Sequence, residues 1–110
     1  MNQSELLQRI KDNLKEFYGS RFRGLLLYGS MARGSQRPDS DIDLICILQG
    51  PVSLWEEIQN TTRAVYDIAL SQIDETGQFR AINIVPVEVS TYESGSCHFY
   101  REARREGIAV

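Results

Sequence analysis

The sequence has few of the residues that mark disulfide-stabilised, membrane-spanning or broadly nucleic-acid-binding proteins. Its 110 residues include two cysteines, one histidine and three prolines, and the formal net charge is −3. Two cysteines do not form a disulfide framework, so reduced thiols in the cytoplasm are expected. The net acidic charge argues against a broad nucleic-acid-binding surface, which normally needs a basic face. No apolar run approaches membrane-spanning length and no charged-then-apolar leader is seen, which favours a cytoplasmic protein without membrane contact.

The composition that remains is typical of an ordinary globular domain. Hydrophobic residues make up 42% of the chain and charged residues 25%. A chain of this length buries a single core, so we expect one domain over residues 1–110. The single histidine, His98, is expected to be exposed or packed rather than catalytic.

The spacing of apolar residues predicts a chain of mixed helices and strands. Pro86 cannot donate a hydrogen bond to a strand ladder, so its strand is expected at a sheet edge or with a bulge. Trp55 and Tyr66 are expected in the core rather than as surfaces that stack on bases. The predicted elements are a helix over Ser4–Tyr18, strands over Phe22–Tyr28 and Asp41–Leu48, a helix from Ser53 to Ile73, a strand over Phe79–Val89 and a helix over Cys97–Glu106.

A glycine-serine turn follows the first predicted strand. The strand ends at Tyr28, and Gly29 allows the backbone to turn sharply and to approach a ligand closely. Ser30 is placed to cap a short helix whose free N–H groups would suit a phosphate. A Gly-Ser pair alone is a turn and a cap in most proteins.

Two aspartates open the second predicted strand. Asp41 and Asp43 are one residue apart, and residues i and i+2 of a strand point to the same face. Two carboxylates on one face repel each other and suit a cation such as Mg²⁺, which takes one or two carboxylates together with substrate phosphates. An Asp-x-Asp alone is often a solvated strand edge. The combination of both motifs, ten residues apart, favours a phosphoryl or nucleotidyl transfer site.

The segments Gly29–Gly34 and Ser40–Leu44 resemble the signature of the DNA polymerase beta-type nucleotidyltransferase superfamily. The resemblance is greatest to the small MNT (minimal nucleotidyltransferase) proteins, many of which are antitoxins paired with HEPN-domain toxins. It extends over nearly the whole chain, since residues 99–108 are similar to the usual end of those domains. It implies an α/β sandwich with a mixed β-sheet flanked by helices.

The same resemblance implies roles for particular residues. Gly29 and Ser30 would hold the phosphates of a nucleoside triphosphate, most simply ATP, while Asp41 and Asp43 would bind Mg²⁺. Arg33, judged from its place in the loop alone, is a candidate phosphate contact or a structural clamp on that loop, and the alternative is a solvated arginine. The superfamily also has a third carboxylate on a following strand. The acid within the third predicted strand is Glu88, a candidate catalytic and metal-binding residue whose alternative is a solvent-facing glutamate.

Two functions follow from the resemblance. The first is a Mg²⁺-dependent nucleotidyltransferase that moves AMP from ATP to a tyrosine hydroxyl of a HEPN-type partner toxin and acts as its antitoxin. The second is a catalytically weak or inactive nucleotide-binding module that neutralises a partner protein by direct contact. Assembly as a homo-oligomer or as a hetero-oligomer stays open at this stage.

Overall fold

A computed structural model describes residues 3–29, 41–76 and 81–110. These three segments contain both helices and strands, with a short 3₁₀ helix over Gly19–Arg21. In chain order they are α1 (Gln3–Tyr18), β1 (Phe22–Tyr28), β2 (Ile42–Leu48), α2 (Leu54–Ala64), α3 (Tyr66–Thr76), β3 (Ile82–Glu88), α4 (Val89–Glu93), α5 (His98–Glu106) and β4 (Ile108–Ala109).

The strands of the described segments form a four-stranded mixed sheet in the order β3-β2-β1-β4. Strand β1 pairs antiparallel with β2 and with β4, whereas β2 and β3 run parallel. Pro86 lies on β3, at one edge of this sheet. The predicted edge position is therefore confirmed. Proline is tolerated there because an edge strand needs hydrogen-bond donors on one side only. The mixed sheet with flanking helices also confirms the expected α/β sandwich.

The larger core fills one face of the sheet. Alternate residues of β1 and β2 point to this face and pack beneath α1 and the α2–α3 pair, because side chains alternate along a strand. Helix α1 contributes one apolar stripe at helical spacing. The buried members of this core are Leu6, Ile10, Leu14, Tyr18, Leu25, Leu27, Ile42, Leu44, Cys46, Leu48, Val65 and Ile68.

A smaller core fills the other face, beneath α4 and α5. Its buried members are Leu26, Ile45, Val87, Tyr92 and Ala103. Tyr28 of β1 packs against this cluster. Every second residue of β1 counted from Tyr28 therefore points to the same face of the sheet, as does Asp43, which pairs with Tyr28 on β2. The end of β1 and the start of β2 on this face lead directly to the candidate site.

The predicted long helix from Ser53 to Ile73 is instead two helices. It is interrupted at Val65, whose φ of −111° and ψ of 8° are not helical, while its side chain stays buried with 5% exposure. The core assignment of Trp55 and Tyr66 is wrong, since these side chains are 71% and 60% exposed. The predicted strand Phe22–Tyr28 is confirmed at both ends, and the C-terminal helix is confirmed as α5.

A buried carboxylate fastens α2 to the end of α1. Glu57 is 3% exposed and accepts hydrogen bonds from the Tyr18 hydroxyl at 3.0 Å, Arg21 at 2.8 Å and Asn60 at 3.0 Å. Desolvation raises the pKa of Glu57, but the hydrogen bonds from Asn60, Arg21 and Tyr18 and the charge of Arg21 outweigh it and hold the pKa below its usual range. Arg21 also donates to the carbonyl oxygen of Pro51, which ties the β2–α2 connection to the same cluster.

Among the residues that the structure describes, no helix is both long enough and apolar enough to cross a membrane.

Candidate nucleotide and metal site

The candidate site lies where β1 ends and β2 begins. The antiparallel register places Tyr28 opposite Asp43, so the residue after Tyr28 lies beside the start of β2. That residue is Gly29, with a φ of 78° that L-residues with side chains rarely adopt. Gly29 therefore has the backbone conformation that the sharp turn expected at this position requires.

Gly29 and Asp43 are in close contact. A Cβ atom added at Gly29 would lie 2.9 Å from Oδ2 of Asp43, which is closer than the Cβ atoms of real side chains come to neighbouring heavy atoms. A glycine is thus required here twice, once by the backbone angle and once by the neighbouring carboxylate. The Asp43 carboxylate consequently lies against the backbone of the turn, as the pairing of the two motifs predicts.

Asn83 joins the two aspartates. The parallel register of β2 and β3 pairs Asp43 with Asn83. The side-chain nitrogen of Asn83 donates to Oδ1 of Asp43 at 3.2 Å and to Oδ2 of Asp41 at 3.4 Å. An amide has two hydrogens to donate, so one side chain serves both acids. The two carboxylates therefore converge on the same point rather than diverge.

The chemistry of these donors fits a divalent cation. Asp41 is exposed and Asp43 is half-buried, so both carboxylates are accessible from solvent. Hard cations such as Mg²⁺ bind carboxylate oxygens in this kind of open arrangement, with further oxygens supplied by substrate phosphates and water. Within the described segments, no third Asp, Glu, His or Cys joins this pair to form a larger acidic or metal-ligating cluster.

Glu88 does not lie with the aspartates, which corrects the expectation that it completes their cluster. It pairs with Leu48 at the opposite end of β2, five register positions from the Asp43–Asn83 pair. Five residues of strand span about 16 Å. The Glu88 carboxylate instead accepts a hydrogen bond from the Ser90 hydroxyl at 3.0 Å and packs against Gly50. Reasoning from the sequence located the correct strand but the wrong end of it.

Ser30 and Arg33, the other expected phosphate contacts, lie outside the described residues. Asn83, in contrast, was not identified from the sequence as a site residue. The one local signal for it is that a polar residue stands at the start of an apolar strand, on the same face as Val85. Its proximity to the aspartates depends on the register between β3 and β2, which the sequence alone does not specify.

A cavity adjoins the glycine turn on the α5 side. Its volume is about 270 Å³, and it is lined by Tyr28, Gly29, Phe99, Glu102, Ala103 and Glu106. The rings of Tyr28 and Phe99 meet edge to face, with centroids 5.5 Å apart. Burial raises the pKa of the Tyr28 hydroxyl, and the negative charge of Asp43 raises it further. Tyr28 is accordingly a neutral group beside the acids at physiological pH.

Comparison with known proteins identifies the family of the fold. Residues 7–109 match the family model of the nucleotidyltransferase domain. No curated protein sequence matches the chain. A Sulfolobus solfataricus protein assigned as a nucleotidyltransferase superimposes with a TM-score of 0.61 at 14% identity, over 97% of this chain and 80% of that one.

Two further solved structures share this fold. A spectinomycin adenyltransferase from Enterococcus faecialis, solved with ATP and spectinomycin, has a TM-score of 0.66 at 15% identity; 98% of this chain spans 48% of it. A toxin-antitoxin structure solved with AMP-PNP has a TM-score of 0.54 at 16% identity, over 99% of this chain and 72% of that one. With the family match, these neighbours confirm the resemblance inferred from the two motifs.

Proposed function

The chain belongs to the nucleotidyltransferase domain family, and from this premise we propose that it transfers AMP from ATP to a hydroxyl group in a Mg²⁺-dependent reaction. The observation that carries the proposal is the convergence of Asp41 and Asp43 on one amide, beside a glycine that lies against the Asp43 carboxylate. A phosphate bound at this turn would lie next to both carboxylates.

Asp41 and Asp43 are the residues that would hold Mg²⁺. When bound there, the ion supplies charge neutralisation on the nucleotide phosphates, which is the main requirement of phosphoryl-type transfer. Gly29 contributes a turn without a side chain, so that phosphate oxygens meet backbone N–H groups rather than a methyl group. Ser30 and Arg33 are the further phosphate contacts proposed from the sequence.

The proposed acceptor is a tyrosine hydroxyl on a HEPN-type protein partner, so that the chain acts as an antitoxin. Support comes from the exposure of Asp41, which leaves the site open to a large partner. Further support is the similarity to a toxin-antitoxin structure that was solved with AMP-PNP. A protein acceptor suits an open site because the partner itself excludes water from it.

A second candidate function is a nucleotide-binding module that neutralises its partner by contact and has weak or no transferase activity. One observation favours it. In the described part of the chain, the β3 position beside Asp43 carries the neutral Asn83 rather than an acid. An amide cannot accept the proton of an acceptor hydroxyl as a carboxylate does, so the chemical step would lose a general base.

A label-transfer experiment separates the two functions. The purified chain is incubated with ATP labelled at the α-phosphate, Mg²⁺ and a HEPN-type partner protein, beside an Asp41→Asn/Asp43→Asn variant. A Glu56→Gln/Glu93→Gln variant is the matched control, since both glutamates are exposed and the charge change is identical. Label that reaches the partner only when both aspartates are present supports the transferase. Equal neutralisation by all three proteins, without label transfer, refutes it and favours the binding module.

The aspartate variant is expected to keep its fold. Two carboxylates about 6.5 Å apart repel by about 2.5 kcal/mol at an effective dielectric constant near 20, and their exposure to solvent reduces this further. Removing both charges should therefore leave the melting temperature unchanged or slightly higher. Thermal unfolding followed by circular dichroism tests this, and loss of the cooperative transition would contradict it.

A further inference from the structure

The side chain that lies beside both aspartates on the neighbouring strand is neutral. The family resemblance implies an acid on the strand that follows the aspartates, yet the observed register places Asn83 beside Asp43. The acid on the same strand, Glu88, hydrogen bonds with Ser90 at the far end. The described side chains around the site therefore bring two negative charges together and not three.

The Asn83 amide also occupies carboxylate oxygens that a cation would otherwise use. It donates to Oδ2 of Asp41 and to Oδ1 of Asp43, while Oδ2 of Asp43 lies against Gly29. Hydrogen bonds of 3.2–3.4 Å are long and readily exchanged for a stronger ligand. The amide thus holds the acids together without a metal and gives way to an entering cation, but it adds no negative charge that could help to hold a second one.

We propose that Asn83 is a positioning residue that restricts this site to a single divalent cation, held by Asp41 and Asp43. The inference rests on the proposed function and deepens it by naming what limits the metal content. Two divalent ions repel each other four times as strongly as two unit charges at the same distance. Two carboxylates offset the charge of one such ion, whereas a pair of ions 3.5–4 Å apart needs further anionic ligands.

Manganese binding tests the proposal without any measurement of activity. Mn²⁺ is titrated into the nucleotide-free chain, and the free ion is counted by electron paramagnetic resonance. The native chain is expected to bind one Mn²⁺. Asn83→Asp and Asn83→Glu are each expected to bind a second Mn²⁺, because each substitution places a third carboxylate beside Asp41 and Asp43. Asn83→Ala, which removes the hydrogen bonds without adding charge, is expected to bind one.

The outcomes are decisive in either direction. Two ions on the native chain or on Asn83→Ala, none at all on the native chain, or a single ion on both carboxylate variants would overturn the proposal. If the carboxylate variants do not fold without metal, the native count still decides it, since a native count of two is sufficient to reject the restriction. Failure of the native chain to transfer AMP while it binds one Mn²⁺ would count against the proposed function and not against this restriction.

Discussion

Replacing the buried Glu57 with alanine should destabilise the protein strongly, although the residue is far from the candidate site. The substitution removes the acceptor for three donors, from Tyr18, Arg21 and Asn60. Breaking a buried ion pair by removing one partner costs about 3–5 kcal/mol. Because the Arg21 side chain keeps 37% exposure and water can solvate its charge, we expect the lower end, about 3 kcal/mol.

Chemical and thermal unfolding measure this effect. A loss of about 3 kcal/mol lowers the melting temperature of a domain this size by roughly 10–20 °C. Glu56→Ala is the matched control, because Glu56 is the neighbouring residue of α2 and is exposed. An exposed substitution of this kind should cost about 0.5 kcal/mol or less. Equal losses in the two variants would refute the assignment of Glu57 as a structural anchor.

The same residue predicts a pH dependence. The pKa of Glu57 in the folded chain lies below its usual range. Its contribution to the free energy of unfolding is therefore complete at pH values above the pKa that Glu57 has in the unfolded chain. It is lost as the pH falls from about 4 through the folded-state pKa. The stability difference between the native chain and Glu57→Gln should therefore shrink in acid. A difference that stays constant from neutral pH down to pH 3 would contradict this.

Two further predictions concern single residues. Gly29→Ala should cost more stability than Gly95→Ala, because both glycines have positive φ but an added carbon meets Asp43 only at Gly29. The left-handed backbone alone costs about 1–2 kcal/mol, and equal urea midpoints for the two variants would exclude the contact. Cys46 should resist thiol reagents in the folded chain, because burial raises its pKa to about 12, and the nearby charge of Glu57 adds to this. Native labelling should therefore count the partly exposed Cys97 alone, with both thiols labelled after unfolding.

Much of the fold was predictable because its signals are local. Continuous apolar runs bounded by glycine marked β1 and β2, and amphipathic spacing marked α1 and α5. The helix break at Val65 was not predictable in this way. The apolar pattern continues through it, and only packing against α1 and the sheet decides where the chain turns. Trp55 was misplaced for a related reason, since periodicity shows that a helix is amphipathic but not how wide its buried face is.

The candidate site divides along the same line. The sequence by itself determined the glycine turn and the aspartate pair, because i and i+2 in one strand share a face whatever surrounds them. Only the tertiary structure decided that Asn83 and not Glu88 meets those acids. The strands β2 and β3 are separated along the chain by two helices, and their register follows from the packing of a whole sheet face. A shift along that register moves each β3 side chain by about 3.3 Å per residue, so no local pattern could have chosen between the two ends.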